Sequence, residues 1–228
     1  MRIAIMQPYF FPYIGYFQLL SSVEKFIFLD DVNYIKNGWI NRNRILMNDR
    51  AKYITVPVMR ASSFVKINET KIHDADGWKI KILSQLKQAY RRAPYCREVI
   101  ALVEEVFQEK SENIANIAKK SVLKVSNYLS LEKIFCLSAS EYKNQHLKGE
   151  ARILDICRQE KACQYINLPG GRGLYSFKVF SDAGILLNFL EKPYEVYAQT
   201  GSDFFPGLSI LDVLMFNHPS KVVEMLKV

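Results

Sequence analysis

The sequence lacks most of the short motifs that mark a metal site, a nucleophile or a phosphate loop. Its 10 glycines form neither a P-loop nor a G-x-G-x-x-G turn. Its four cysteines include no C-x-x-C pair, and its three histidines include no H-x-x-x-H pair. The motifs of zinc and dithiol redox sites are therefore absent, and we expect reduced, mostly buried cysteines. No G-x-S-x-G elbow is present, which disfavours a covalent acyl-enzyme.

Long hydrophobic stretches are also missing. No apolar run approaches the ~18–20 residues that a membrane helix needs, so no transmembrane segment is expected. The amino terminus lacks the apolar core and cleavage site of a signal peptide, which predicts a cytoplasmic protein. A hydrophobic content of 49% over 228 residues is sufficient for a core. We predict a single α/β domain over residues 1–228.

Acidic residues are the minority charge. The chain has 31 Lys and Arg against 23 Asp and Glu, a net charge of +8. The basic residues are spread along the sequence, with small clusters at 42–44, 91–92 and 119–120. An excess of basic residues is typical of proteins that bind nucleic acid, bind a nucleotide-linked substrate or act near an anionic membrane. We favour the nucleotide-linked substrate over nucleic acid because the clusters are small.

Hydrophobic periodicity predicts seven strands and eight helices. The strands are Ile3–Met6, Lys25–Leu29, Tyr53–Val58, Val65–Ile72, Lys133–Cys136, Gln164–Asn167 and Leu186–Leu190. The helices are Gly15–Val23, Gly77–Tyr90, Tyr95–Glu109, Glu112–Leu129, Gly149–Glu160, Ser176–Asp182, Ser209–Phe216 and Ser220–Lys227. Strand–helix alternation predicts a Rossmann-like α/β fold with a mostly parallel sheet. Two strands without an intervening helix predict a β-hairpin insertion within 43–72, and residues 77–129 predict a helical lobe.

The first 20 residues combine a strand, an aromatic turn and a helix start. Unpaired N–H groups of a first helical turn can bind phosphate. We therefore predict nucleotide-binding residues here: Gln7, Pro8, Tyr9, Pro12, Gly15 and Tyr16. The F-x-P-x-x-G-Y pattern is similar to F-x-P-x-x-x-G-H of the nucleotidyltransferase superfamily, which includes pantothenate synthetase. That resemblance implies a HUP/nucleotidyltransferase-like fold and a nucleotide pocket, although Tyr16 replaces the last histidine.

A polar segment follows the predicted second strand. Paired carboxylates at a strand end can hold Mg²⁺, bind ribose or act as a general base, or can cap a turn. Basic side chains beyond them can bind phosphate. The candidate catalytic residues are Asp30, Asp31, Lys36 and Arg42, and the candidate binding residues are Asn33, Tyr34, Trp39, Asn41, Asn43 and Arg44. Alternation along an extended segment predicts Trp39, Asn41 and Asn43 on one face. It predicts Arg42 and Arg44 on the other face. A polar surface strand is the alternative.

Two later loops complete the predicted site. Gly170, Gly171 and Arg172 form a glycine-rich loop that allows close approach to a ligand, or a surface turn. Ser209 and Asp212 have capping-box spacing, which leaves a cap or a ligand contact open. Because ligands lie beyond the carboxyl ends of parallel strands, we expect residues 7–12, 30–36, 138–142 and 168–175 to meet.

Three segments, QPYFFPYIGYFQLL, FLDDVNYIKNGWINRNRI and FFPGLSILDVL, together resemble the WbqC-like protein family over essentially the whole chain. The resemblance implies a role in bacterial O-antigen and lipopolysaccharide biosynthesis. It implies transfer of an amino acid such as glycine to the amino group of a nucleotide-linked sugar. ATP and Mg²⁺ would be cofactors if an acyl adenylate forms. A non-catalytic nucleotide-sugar-binding or assembly protein, or an RNA-binding protein, is the alternative.

Overall fold

The computed structural model describes residues 1–59, 64–73, 77–108, 110–192, 195–201 and 203–227. The strands are β1 Arg2–Met6, β2 Lys25–Phe28, β3 Arg42–Met47, β4 Arg50–Thr55, β5 Ile134–Cys136, β6 Gln164–Asn167 and β7 Leu186–Phe189. The helices are α1 Ile14–Ser22, α2 Trp78–Tyr90, α3 Cys96–Gln108, α4 Ile114–Tyr128, α5 Gly149–Gln159, α6 Phe177–Asp182, α7 Ile210–Phe216 and α8 Pro219–Leu226. Single 3₁₀ turns span Ile67–Glu69, Ala139–Tyr142 and Pro169–Leu174.

Five strands form one parallel sheet in the order β5-β2-β1-β6-β7. The chain starts at the central strand β1, moves outward on one side through β2 and β5, and then returns to build β6 and β7 on the other side. The order therefore reverses between β1 and β6, which is where Rossmann-like sheets open a ligand crevice. The predicted Rossmann-like fold is confirmed.

Side chains of β1 alternate between two hydrophobic clusters, as the period of two requires. Ile3 and Ile5 pack with residues of α5 and α6 on one face. Ala4 packs on the other face with α1, α7, α8 and the α2–α4 helices. Helices thus cover both faces of the sheet, which explains why its central strands are almost entirely apolar.

The predicted hairpin exists, but its strands differ from the prediction. β3 pairs antiparallel with β4 through the turn residues Asn48 and Asp49, whose φ angles are 53° and 54°. Asn and Asp tolerate this left-handed conformation, and two such residues form the turn that suits a short hairpin. The predicted strand Val65–Ile72 is wrong, because it contains the Ile67–Glu69 turn and only isolated bridges, such as Asn33 to Lys66.

All eight predicted helices are confirmed, with ends that shift by one or two residues; the predicted end at Glu109 lies outside the described residues. Helices α2, α3 and α4 pack against one another, and their assignment as a lobe stays a prediction. Cys136 and Cys157 are buried as expected, whereas Cys163 is exposed. None of the described helices is long and apolar enough to cross a membrane.

Candidate functional site

A cavity of about 440 Å³ opens where β1 and β6 diverge. We call it the switch-point cavity. Its walls come from the ends of both strands, from the β2–β3 connection and from the glycine-rich loop. The lining residues are Ile5, Met6, Gln7, Tyr9, Tyr13, Leu29, Ile35, Trp39, Asn167, Leu168, Gly170, Gly171, Leu174 and Tyr175. Segments 7–12, 30–36 and 168–175 therefore meet here as predicted, whereas 138–142 contributes no lining residue and contacts Asp30 instead.

A second space of about 400 Å³ adjoins this cavity, and we call it the aromatic compartment. The two spaces share Tyr9, Tyr13 and Trp39. Its remaining lining residues are Pro12, Asn43, Arg44, Pro206 and Gly207. The two compartments can therefore hold the two ends of one extended ligand, with the shared aromatic rings between them.

Arg44 is the cation of the aromatic compartment. Its guanidinium carbon lies 5.4 Å from the centre of the Trp39 ring. One Nη donates a long 3.5 Å hydrogen bond to the Gly207 carbonyl, and the buried Nε has no partner in the described part of the chain. No ion pair to Arg44 forms among those residues. Because a half-buried guanidinium needs a counter-charge, this geometry suits an anionic ligand group.

The aromatic turn before α1 is held by buried polar side chains from three distant elements. Phe11 has φ 40°, a conformation that costs about 1–3 kcal/mol in a non-glycine residue. Its carbonyl accepts hydrogen bonds of 2.7 Å from both Asn43 Nδ2 and Ser209 Oγ. Its amide donates to Ser121 Oγ at 2.9 Å. Asn43 and Ser209 thereby fix the turn that presents Tyr9 and Tyr13 to both compartments.

Tyr13 lies over the start of α1. A Cβ atom at Gly15 would come within 2.3 Å of the Tyr13 ring. The small residue therefore makes room for a protein side chain that borders the cavity. Tyr16 is fully buried and donates a 2.9 Å hydrogen bond to the Gln7 carbonyl, so it supports the turn from within the core.

The glycine-rich loop closes the other side of the cavity. A Cβ atom at Gly171 would lie 2.8 Å from Asn167 Nδ2 and 3.3 Å from the Tyr175 ring, whereas one at Gly170 would meet nothing within 4 Å. Asn167 Nδ2 donates to the Tyr165 hydroxyl at 2.9 Å, and burial raises the pKa of Tyr175. Gly171 is therefore required by packing against Asn167 and Tyr175, whereas the open space at Gly170 leaves the loop backbone accessible to a ligand.

Both aspartates after β2 are buried in ion pairs. Asp30 accepts hydrogen bonds from Lys119 Nζ at 2.9 Å and from Ser138 Oγ at 2.6 Å. Both carboxylate oxygens of Asp31 accept from Nη2 of Arg152, at 2.8 and 2.6 Å. Neither carboxylate is free to hold Mg²⁺, because each already has a cation at hydrogen-bonding distance. The described residues contain no cluster of metal ligands elsewhere.

Asp212 is buried and forms no ion pair within the described part of the chain. Its Oδ1 accepts from Gln199 Nε2 at 3.1 Å and from the Tyr197 hydroxyl at 3.4 Å, while Oδ2 has no partner in the described structure. Burial raises the pKa of this carboxyl group to about 7. The predicted N-cap is confirmed, because Ser209 Oγ accepts from Leu211 N. The reciprocal half of the capping box is wrong, because Ser209 N donates to Arg44 O and not to the Asp212 side chain.

Comparison with known proteins gives one family and one curated relative. The model of the WbqC-like protein family matches residues 7–224. This chain belongs to the WbqC-like family. It is 30% identical to "Uncharacterized protein Rv1507c" of Mycobacterium tuberculosis, over 99% of this chain and 97% of that protein. No solved structure matches significantly.

The family-like segments meet around the two compartments of this WbqC-like chain. Five predicted binding residues line the switch-point cavity: Gln7, Tyr9, Trp39, Gly170 and Gly171. Pro12, Asn43 and Arg44 line the aromatic compartment, and Gly15 lines a smaller neighbouring space. A separate groove along the hairpin is lined by Tyr34, Lys36, Asn41 and Arg42. The remaining predicted residues line none of these spaces: Pro8, Tyr16, Asp30, Asp31, Asn33, Arg172, Ser209 and Asp212.

The predicted division of faces between Trp39 and the arginines is wrong. Trp39 lies on the same side as Arg44 and within 6.4 Å of the Tyr53 ring. Asn41 and Asn43 instead point inward, where Asn41 donates to Val56 O at 2.9 Å and accepts from Tyr34. Trp39 precedes β3, so strict strand alternation does not extend back to it.

Sequence reasoning missed several residues that shape the site. Asn167, Tyr13 and Tyr175 line the cavity, and Lys119 and Arg152 neutralise the aspartates. Asn167 has a readable signal, because it ends a predicted strand beside the glycine-rich loop. Lys119 and Arg152 lie 89 and 121 residues from their partners, and no local pattern links them.

A larger groove of about 610 Å³ lies away from these compartments, along β6, β7 and the end of α8. It includes Arg2 and Gln164 at the amino ends of their strands. We place the site at the smaller cavity because polar loops and strand carboxyl ends converge there.

Proposed function

We propose that this WbqC-like protein binds a nucleotide-linked sugar and attaches an amino acid such as glycine to its amino group. Family membership supports a role associated with polysaccharides and nothing more specific. The observation that carries the proposal is the pair of connected compartments at the switch point, with a glycine loop on one side and an aromatic, cationic space on the other.

The two compartments suit the two ends of such a substrate. Gly170 lines the switch-point cavity and has open space around it, so the loop backbone there is accessible to a diphosphate. Trp39 offers a ring face for a sugar or base, and Arg44 offers an anionic group a guanidinium that forms no ion pair with any described residue. The Tyr9 and Tyr13 rings stand between these ends and can exclude water from the bound substrate.

An acyl adenylate gives a balanced route to the amide. The amino-acid carboxylate attacks the α-phosphate of ATP and releases pyrophosphate. The sugar amine then attacks the acyl carbon, AMP leaves with the C–O bonding electrons, and the amine loses a proton to solvent. Arg44 would hold the anionic group during both steps. Asp30 and Asp31 do not fit a Mg²⁺ site while Lys119 and Arg152 neutralise them, so no step is assigned to a metal there.

The same ion pairs favour a second candidate, a protein that binds a nucleotide-linked sugar without chemistry. A general base needs a free carboxylate or imidazole within reach of the substrate. None of the residues that line the two compartments is an aspartate, glutamate or histidine. Binding without turnover is the outcome that this candidate predicts.

A thermal-shift screen tests ligand binding directly. The purified chain is heated with ATP and Mg²⁺, with UDP- and dTDP-linked amino sugars, and with short RNA. A ligand at ~100 times its dissociation constant adds about 2.7 kcal/mol to the unfolding free energy. Stabilisation by a nucleotide sugar supports the site, and a response to RNA alone contradicts it. Arg44→Gln should weaken the response, whereas Arg50→Gln, on an exposed residue at the start of β4, is the matched control.

Turnover is then measured by mass spectrometry. Glycine, ATP and an amino-sugar nucleotide should yield a product heavier by one glycyl residue, together with AMP and pyrophosphate. Binding without this product, across several amino acids, selects the non-catalytic candidate.

A further inference from the structure

Positive charge is concentrated in one stretch of the sequence. Residues 32–73 contain eight Lys and Arg and two Asp and Glu, so they carry +6 of the chain's net charge of +8. This stretch contains the hairpin and the connections on either side of it. The rest of the molecule is nearly neutral, and any long-range attraction to an anionic partner therefore acts through this region.

The same stretch exposes large apolar side chains. Ile35, Trp39, Tyr53, Met59 and Phe64 are 52%, 37%, 44%, 51% and 83% exposed. We call these five residues the hairpin face. Single exposed apolar residues are ordinary, but five within 30 positions of a strongly basic segment are not.

Contacts join most of these residues into one surface. The Trp39 and Tyr53 rings are 6.4 Å apart, and Met59 lines one groove of about 590 Å³ together with Lys36 and Arg42. Tyr34 N donates to Val65 O, and Asn33 forms an antiparallel bridge with Lys66, so the chain next to Ile35 is joined to the chain next to Phe64.

Basic side chains are interleaved with this surface. Arg42 stacks over the Tyr53 ring at 4.3 Å, and Lys36 follows Ile35 directly. Lys66 bridges to Asn33 beside Phe64. The two acidic residues of the stretch lie at the hairpin turn, Asp49, and in the 3₁₀ turn, Glu69. The surface thus combines apolar residues that can enter an interface with cations that can meet anionic headgroups.

We propose that the hairpin face docks on an anionic lipid bilayer. A bilayer accounts for the exposed aliphatic side chains of Ile35 and Met59, which offer no ring for a nucleic-acid base to stack on. Trp39 and Ile35 also line the switch-point cavity. Docking therefore brings the mouth of that cavity to the membrane surface. The proposal does not depend on which substrate the cavity binds.

Vesicle co-sedimentation of the full chain tests the proposal. Vesicles of phosphatidylcholine alone are compared with vesicles containing ~30% phosphatidylglycerol, at low salt and at ~0.5 M salt. We expect binding to the anionic vesicles only, and a strong reduction by salt. Trp39 is exposed and Trp78 is buried, so a blue shift of tryptophan emission on binding reports that Trp39 has entered the interface.

Paired variants locate the contact. Lys36→Glu with Lys66→Glu should lower the partition coefficient at least ~tenfold, because each basic residue near the surface contributes to binding. Arg158→Glu with Lys178→Glu, on exposed helix positions of α5 and α6, should leave it unchanged. Phe64→Ser should lower it several-fold, whereas Phe177→Ser, on a residue 61% exposed, should not.

Three results would overturn the proposal. The first is equal binding by the two charge-reversed pairs. The second is binding to short RNA with no binding to anionic vesicles. The third is self-association of the chain that Phe64→Ser abolishes, without vesicle binding. Thermal-shift data for every variant separate these outcomes from unfolding.

Discussion

The two halves of the sheet's carboxyl edge differ in whether their polar side chains are buried in ion pairs or line an open cavity. Beyond β2 and β5, Asp30 and Asp31 are buried against Lys119 and Arg152. Beyond β1 and β6, the molecule opens into a cavity lined by aromatic rings, amides and glycines. The charged half is closed, and the half with little charge is open.

Topology explains the difference. β2 and β5 are neighbours on the same side of β1, and their following loops cover each other, as the 2.6 Å contact between Asp30 and Ser138 shows. β1 and β6 send their chains in opposite directions, which leaves a crevice between them. A charged motif at a strand end therefore marks a ligand site only where the sheet order reverses.

Removal of the Asp31 carboxylate should have the largest effect on the unfolding free energy. It tests directly whether this aspartate has a structural role in the closed half. Asp31→Ala leaves Arg152 charged, buried and without its carboxylate, which costs about 3–5 kcal/mol. Urea denaturation should show this loss. The matched control is Glu24→Ala, which removes an exposed pair with Arg2 worth ~0–1 kcal/mol. A stable Asp31→Ala protein that had lost only turnover would instead assign this carboxylate to catalysis.

Asp212 contrasts with Asp30 and Asp31, because it is a buried carboxyl group that forms no ion pair with any described residue. Its pKa of about 7 lies above the unfolded value of about 4, so the native state retains a proton that the unfolded chain releases. Its contribution to stability is full below about pH 4 and is lost as the pH rises to about 7. Asp212→Asn should remove that slope and be more stable than the native chain at pH 8, by about 1–3 kcal/mol.

The measurement is the difference in unfolding free energy between the two proteins from pH 4 to pH 8. Using the difference cancels the opposite pH dependence of ordinary carboxylates. A constant difference across that range would contradict the raised pKa.

The open half is tested at its two glycines. Gly171→Ala places a Cβ atom 2.8 Å from Asn167 Nδ2, so that side chain must leave its hydrogen bond to Tyr165. We expect a loss of about 1–3 kcal/mol in stability and a weaker response to nucleotide sugars. Gly170→Ala meets no protein atom within 4 Å and should leave stability unchanged, so it is the matched control for the loss of stability. Calorimetric titration with the best ligand of the thermal-shift screen compares the two variants.

The sequence predicted this fold well because its elements have strong local signals. Helices α3 and α4 have apolar faces at helical spacing, and the parallel strands are short and largely apolar. β3 was missed because Arg42, Asn43 and Arg44 look like a polar loop. Their fold comes from contacts far along the chain: Asn43 binds the Phe11 carbonyl, and the Arg44 carbonyl accepts from Ser209 N.

The site was harder to predict for the same reason. Sequence reasoning identified Tyr9, Trp39 and Gly171, which line the cavity. It assigned catalysis to Asp30 and Asp31, because nothing local in the sequence shows that Lys119 and Arg152 neutralise them. The kind of side chain at a position can be read from the sequence, whereas its neutralisation by an opposite charge depends on tertiary contacts.

Trp39 gives the clearest separation of structure from binding. Its side chain is 37% exposed and contacts Tyr53 and Arg44. Trp39→Ala should lower the unfolding free energy by about 1–3 kcal/mol, since it removes a partly buried ring and its cation–π contact with Arg44. Ligand affinity should nevertheless fall about tenfold if a base or sugar ring stacks there, because one such stack is worth about 1–3 kcal/mol. Trp39→Phe should restore most of that affinity. Calorimetric titration that showed equal affinity for all three proteins would move the ligand out of the aromatic compartment and leave only the glycine side of the open half.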